Sequence, residues 1–151
     1  MTGALFTLTF AVAAPFWALM ILLPHWSRTA RIISSPLIVL PVLVIYAMLV
    51  LPAIGDVLPA VASPSLDGIR RLLGTTDGTA AAWAHMIAFD LFVGRWAWLD
   101  SRDRGVPALV TAPVLLLTIL LGPLGLAAYL AVRTRWPRPA ATAGAEPQRL
   151  G

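Results

Sequence analysis

The sequence predicts an all-α integral membrane protein, a four-helix transmembrane bundle with a short interfacial helix between its second and third members. Composition is the first reason. Hydrophobic residues make up 59% of the chain and charged residues 12%, against about 45–50% apolar in a soluble domain, and the mean hydropathy is +0.84. A water-soluble fold of this size has too little interior to hide that much apolar surface. The second reason is that the apolar residues come in uncharged or nearly uncharged runs close to the 20 residues or so that a helix needs to cross hydrocarbon. The third is that most arginines fall in the breaks between those runs. With 151 residues, four crossings and their loops use residues 1–133 as a single bundle and leave no separate catalytic domain.

The first run, residues 4–23, carries no charge. Ala11-Val12-Ala13 resembles a signal-peptide cleavage site, but no basic residue precedes the run and it continues well past that point, so it reads as a retained helix kinked at Pro15. A polar break from Pro24 to Arg31 follows, with Trp26 suited to the interface and Arg28 and Arg31 to headgroups. The second helix is predicted over residues 36–54, with Pro36 in its first turn. Residues 56–78 form the longest loop, extended from Pro59 to Pro64. Within it, Leu66, Ile69, Leu72 and Leu73 fall on one helical face, Ser65 is a cap and Gly74 a stop, which predicts a short helix lying in the membrane plane. The third helix spans 79–99 and the fourth 106–132, the latter interrupted by Pro113 and by Gly122-Pro123-Leu124-Gly125, read as a kink and packing point. The tail, residues 134–151, is rich in Pro, Ala and Arg and is expected to be disordered.

Four crossings put both termini on one side. The tail arginines with Arg70 and Arg71 then oppose Arg28, Arg31, Arg102 and Arg104, and the tail tips a nearly even balance toward termini inside. All 11 basic residues are arginine and the net charge is +4. No basic stripe interleaved with aromatics is present, so anionic headgroups and not nucleic acid are the expected partners. Cysteine is absent, which excludes disulfides, thiolate nucleophiles and thiolate metal sites. Asp100 and Asp103 lie in a charged loop, but the paired aspartate-rich motifs of metal-dependent prenyl transfer are missing, and no metal or other cofactor is expected.

The third helix holds the unusual residues. Asp90 sits near its midpoint, where an ionisable group costs about 2.5–3.5 kcal/mol to insert, whereas each apolar neighbour returns only about 0.3–0.6 kcal/mol. At about 100° per residue, Asp90 points about 140° away from both His85 and Arg95, and those two are about 80° apart. Polar groups pointing several ways predict a central helix covered by the others, with Asp90 nearly fully buried and bonded to Thr7, Thr9, Tyr46, Thr118 or Tyr129, to a loop arginine, or carrying its own proton. Each residue also has a plain reading. Asp90 is a site group or a packing staple, and His85 an acid-base group or a packing histidine. Arg95 is a ligand-orienting group or a headgroup anchor. Phe89, Phe92 and Trp96 line an apolar groove or simply pack.

Taken together, His85, the run Phe89-Asp90-Leu91-Phe92-Val93-Gly94-Arg95-Trp96, Asp100, Pro107, Leu117-Thr118, Gly122-Pro123-Leu124-Gly125-Leu126, Tyr129 and Arg133 resemble the abscisic-acid-deficient-four-like family, best known from plant neoxanthin synthase. The resemblance covers about residues 4–133. Without a plastid transit peptide the chain looks like a bacterial-type member, expected in a bacterial cytoplasmic membrane. The resemblance implies isomerase-like work on a carotenoid (xanthophyll) or another polyisoprenoid, by acid-base chemistry without a redox cofactor. Asp90 and His85 are then the catalytic candidates, and Arg95, Phe89, Phe92, Trp96 and Tyr129 the substrate-binding ones. The alternative is a non-catalytic protein that binds such a lipid. Expected partners are membrane lipids and a hydrophobic small molecule such as a carotenoid, with a second copy or a partner membrane enzyme as further options.

Overall fold

A computed structural model describes residues 1–138. Among them there is no strand, and seven α-helices account for the fold: α1 Thr2–Leu22, α2 Ser27–Ser34, α3 Leu40–Val50, α4 Ile54–Ala62, α5 Leu66–Leu73, α6 Thr76–Asp103 and α7 Ala108–Arg133. Three stretches are long and apolar enough to cross a membrane by length and composition, namely Thr2–Leu22, Pro36–Ala62 and Ala108–Arg133. Most of the expected disordered tail lies outside the described residues.

Local chemistry sets the boundaries. The Ser35 hydroxyl accepts from Leu37 N at 3.3 Å and opens a 3-10 turn, Pro36–Val39, that leads into α3. A second 3-10 turn, Leu51–Ala53, joins α3 to α4. There the structure departs from the extended segment expected at Pro59, because α4 runs through that proline to Ala62. Away from water a helix keeps its remaining backbone groups bonded internally, and this outweighs one missing N–H. The Ser65 cap is present, its hydroxyl accepting from Gly68 N at 3.1 Å. Thr75 does the same for α6 through Gly78 N at 2.9 Å, so α6 begins earlier and ends later than residues 79–99.

The centre of the fold is α6, which packs against α1, α3 and α7, with α2 and α5 along it. Its small residues explain the close approach. A Cβ on Gly94 would overlap the ring of Trp17, and Ala80, Ala84, Ala88 and Ala97 are all buried. Trp17 belongs to the buried stripe Thr9, Ala13, Trp17 and Met20 of α1, spaced at three and four residues as one helix face requires. Leu91, Leu115, Trp98 and Tyr129 complete the core.

The last helix is not the single interrupted rod expected from the sequence. After α6 the chain reverses at Gly105, whose φ of +68° is in the left-handed region. Val106 N bonds Ser101 O at 2.8 Å and Gly105 N bonds Arg102 O at 3.1 Å, the paired bonds of a Schellman stop. A straight α7 would then carry Arg133 about 35–40 Å from that turn. Instead Arg104 Nη1 donates to Trp136 O at 3.0 Å. Leu121, with φ −144° and ψ 57°, breaks the helix, and a Cβ on Gly125 would overlap the backbone of Thr118. These contacts require two antiparallel arms, residues 108–120 and 122–133, folded against each other as a helical hairpin. Gly122-Pro123-Leu124-Gly125 is thus a reversal and not a kink. Pro123 cannot supply the N–H a continuous helix needs there, and Gly125 has no side chain to hold the arms apart.

Candidate functional site

The residues singled out in α6 are distributed over different neighbours. His85 is exposed and faces α3, its ring centroid 4.6 Å from Phe89 and 5.8 Å from Tyr46. It lines a groove of about 310 Å³ together with Tyr46, Val57, Val61, Leu72 and Met86. Phe89 and Phe92 continue the same seam into a second groove of about 320 Å³, closed on its other side by Pro36, Val39 and Leu43. In the opposite direction the His85 groove shares Val50, Val57, Leu72, Gly78 and Ala81 with a wider cavity of about 690 Å³ that holds Asp56, Arg71 and Asp77. The seam between α3 and α6 therefore runs from a polar vestibule, past one imidazole, to a wholly apolar trough.

Asp90 lies on another face. Its carboxylate sits against Gly122 at the break of α7, where a Cβ would overlap it. The expectation of near-complete burial is not met, since Asp90 is only partly buried. The hairpin tip covers one side of the carboxylate while Leu120, Leu121 and Leu124 point outward. Nor do the expected hydroxyl partners reach it. Thr7 donates to Gly3 O, Thr9 to Leu5 O, Thr118 to Val114 O and Tyr129 to Asp100. Gly122→Ala should therefore destabilise the fold by about 1–3 kcal/mol through overpacking, and adding Asp90→Ala should recover part of that loss. Thermal unfolding of the two single variants and the double variant in detergent measures the coupling. Strictly additive losses would mean that the carboxylate does not sit on Gly122.

Arg95 is committed to the backbone. Its Nε donates to Ile33 O at 2.8 Å and to Ser35 O at 3.2 Å, and its Nη2 to Ser34 O, so the guanidinium caps the open carbonyls at the end of α2. Trp96 meets Tyr129 edge-on at 5.3 Å and carries the Arg133 guanidinium 5.2 Å from its ring centre.

These two aromatics belong to a cluster that the sequence reading did not find, centred on Asp100. This carboxylate is 3% exposed. Its Oδ2 accepts from Arg104 Nε at 2.7 Å and from Tyr129 Oη at 2.7 Å, with Arg133 Nε at 3.2 Å. Its Oδ1 accepts from Arg138 Nη2 at 3.0 Å. Burial alone would raise the Asp100 carboxyl, but the hydrogen bonds from Arg104 and Tyr129 and the charges of Arg133 and Arg104 outweigh it and hold the group below its ordinary range. The four-residue spacing of Asp100 and Arg104 was the available signal. Among the described residues no group of three or more His, Cys, Asp or Glu is placed to hold a metal ion.

Comparison with known proteins matches a family model described as ABA DEFICIENT 4-like over residues 4–129. The chain belongs to the ABA DEFICIENT 4-like family. Among its ABA DEFICIENT 4-like relatives is Protein ABA DEFICIENT 4, chloroplastic, of Arabidopsis thaliana, 26% identical over 134 residues, which are 84% of this chain and 59% of that protein. The chain thus spans well under two thirds of that relative's length. No solved structure matches it. The family match takes in every candidate in α6 and all but the last turn of the hairpin.

Proposed function

We propose that this chain is a membrane-embedded, isomerase-like protein of carotenoid or related polyisoprenoid metabolism, and that the seam between α3 and α6 is where its substrate lies. The observation that supports this best is the gradient along the seam: a vestibule with Asp56, Arg71 and Asp77 at one end, His85 beside Tyr46 in the middle, and Phe89 and Phe92 at the other. A long molecule with a polar end group and a polyene body matches that order, because the polar end keeps hydrogen-bonding partners while the body is buried on apolar and aromatic side chains. In the isomerisation associated with the family, an epoxide C–O bond opens as its oxygen gains a proton and a polyene C–H gives one up, so the formula is unchanged. A histidine on the seam can serve such proton transfers without a redox cofactor. In this arrangement α5 lies at the membrane interface with the exposed Leu66 and Leu73 turned toward the acyl boundary, while Leu72 lines the seam. A depth-sensitive probe at Ile69 is expected to report that boundary, and a position fully in water would contradict it.

The separation of His85 from Asp90 supports the alternative of a carotenoid- or lipid-binding protein without chemistry, since the two ionisable groups do not face one cavity. Pigment and lipid analysis of cells with and without the chain distinguishes the two readings. A changed product supports the enzyme, and a co-purified but unchanged lipid supports the binder. For the enzyme, His85→Gln should lower conversion by at least about 100-fold with the fold retained. Asp90→Asn removes an ionisable proton at little steric cost. Lost conversion with intact folding assigns Asp90 a proton-transfer role, and full activity makes it a packing group under the hairpin tip.

A further inference from the structure

The hairpin changes where the charges of the molecule lie. The two ends of the bundle are fixed by contacts between distant parts of the chain. At one end Thr2 Oγ1 donates to Asp77 Oδ1 at 2.6 Å, so the start of α1 and the start of α6 are together. At the other, Arg102 Nη1 donates to Pro24 O at 2.8 Å, which joins the end of α6 to the break after α1. Because α7 folds back, its last turn also lies at this second end, tied there by Arg133 and Arg138 to Asp100. Arginines 28, 31, 102, 104, 133, 135 and 138 therefore share one end, and Arg28, Arg31, Arg102, Arg135 and Arg138 among them are exposed. Opposing them there are Asp100, already enclosed by its partners, and Asp103. The far end has Arg70 and Arg71 against Asp56, Asp67 and Asp77. Trp26, exposed at the arginine end with Arg28 5.4 Å from its ring centre, has the character of an interfacial anchor.

We propose that this arginine-bearing end is a surface for anionic lipid headgroups, seated in the leaflet that faces the compartment where the chain is made, and that residues 108–133 dip into the membrane from that side and return without crossing it. The proposal rests on the membrane-embedded reading. Arginine in short segments next to membrane helices is retained on the side of synthesis, and each one near an anionic leaflet adds to the attraction. With four crossings the arginines divide nearly evenly between the two faces. With crossings by α1, the Pro36–Ala62 stretch and α6, and with residues 108–133 as a hairpin, seven arginines fall on one face against Arg70 and Arg71 on the other, so the charge pattern and the fold agree. The start of α1 and the loop around Ser63 then lie on the opposite side.

The absence of cysteine makes the test direct. Ser27→Cys, Ser63→Cys and Thr134→Cys, each in the full chain and each at an exposed position, are probed with a membrane-impermeant maleimide in right-side-out and inverted vesicles from an expression host. Positions 27 and 134 are expected to label in inverted vesicles and position 63 in right-side-out ones. Labelling of 134 together with 63 would overturn the hairpin topology, and labelling of 27 and 134 from the outer side would overturn the orientation. For the headgroups, the purified chain in detergent is titrated with phosphatidylglycerol or phosphatidylcholine. An upward shift of the unfolding midpoint specific to phosphatidylglycerol, lost at high salt and reduced by Arg28→Gln with Arg31→Gln and Arg135→Gln, is expected. Equal shifts with the two lipids would overturn the headgroup surface.

Discussion

Asp100→Ala is expected to lower stability by about 3 kcal/mol. The carboxylate is 3% exposed and is the common acceptor for Arg104, Tyr129, Arg133 and Arg138. Its removal leaves partly buried guanidinium groups without a counter-charge, which costs about 3–5 kcal/mol for a fully buried pair and less where water reaches Arg133 and Arg138. The return arm of the hairpin also loses its anchor, so protease cleavage near Thr134 should increase along with the drop in unfolding midpoint. The pH dependence has a defined sign. Because the folded Asp100 carboxyl is held below its ordinary value, its contribution is complete above the unfolded carboxylate range, near pH 4, and is lost as pH falls through the lower folded value. Asp100→Asn should abolish that part of the acid sensitivity. An unchanged acid profile in the Asn variant would show that the cluster does not stabilise the fold through charge.

The second large effect is expected at Gly125. A methyl group there meets the backbone of Thr118, which cannot swing aside as a side chain can, so Gly125→Ala should cost about 3 kcal/mol and push the two arms apart. Far-ultraviolet helicity should hold while the thermal midpoint falls, because each arm remains helical when the arms separate. The same exchange at Gly55, which has open space around it and lies in the first turn of α4, should be nearly neutral or slightly stabilising, and it serves as the control. Equal midpoints for the two variants would mean that the arms do not touch.

Much of this was legible in the sequence because it depends on local rules. Uncharged runs marked α1 and residues 36–54, though not the continuation through α4 to Ala62; Ser65 and Gly74 marked the ends of α5; and the helical period separated His85 from Asp90 before any neighbour was known. The structure gives those directions their neighbours: Tyr46 for His85, Gly122 for Asp90, and the carbonyls closing α2 for Arg95. What stayed hidden depends on pairs far apart in the chain. Gly-Pro in an apolar helix is compatible with a kink or with a reversal, and the choice rests on the dihedrals of Leu121 and on Tyr129 and Arg133 reaching Asp100 across about 30 residues. Reading α7 as a crossing then made the arginines appear divided between two faces. The contacts that fold α7 back gather at one end arginines that a single straight helix divides between two.

The hairpin also sets an order of events during synthesis. Its first arm, about 20 Å long, is too short to cross the roughly 30 Å hydrocarbon layer, and its second arm is locked by Arg133 and Arg138, which leave the ribosome after everything they bind. While the nascent chain grows, α1, α3 and α6 can pack together with Trp17 already against Gly94, but Asp100 must wait with Arg104 as its sole cation from the same helix end. On the proposed topology, the finished α7 then closes over Asp90 from the arginine-bearing end.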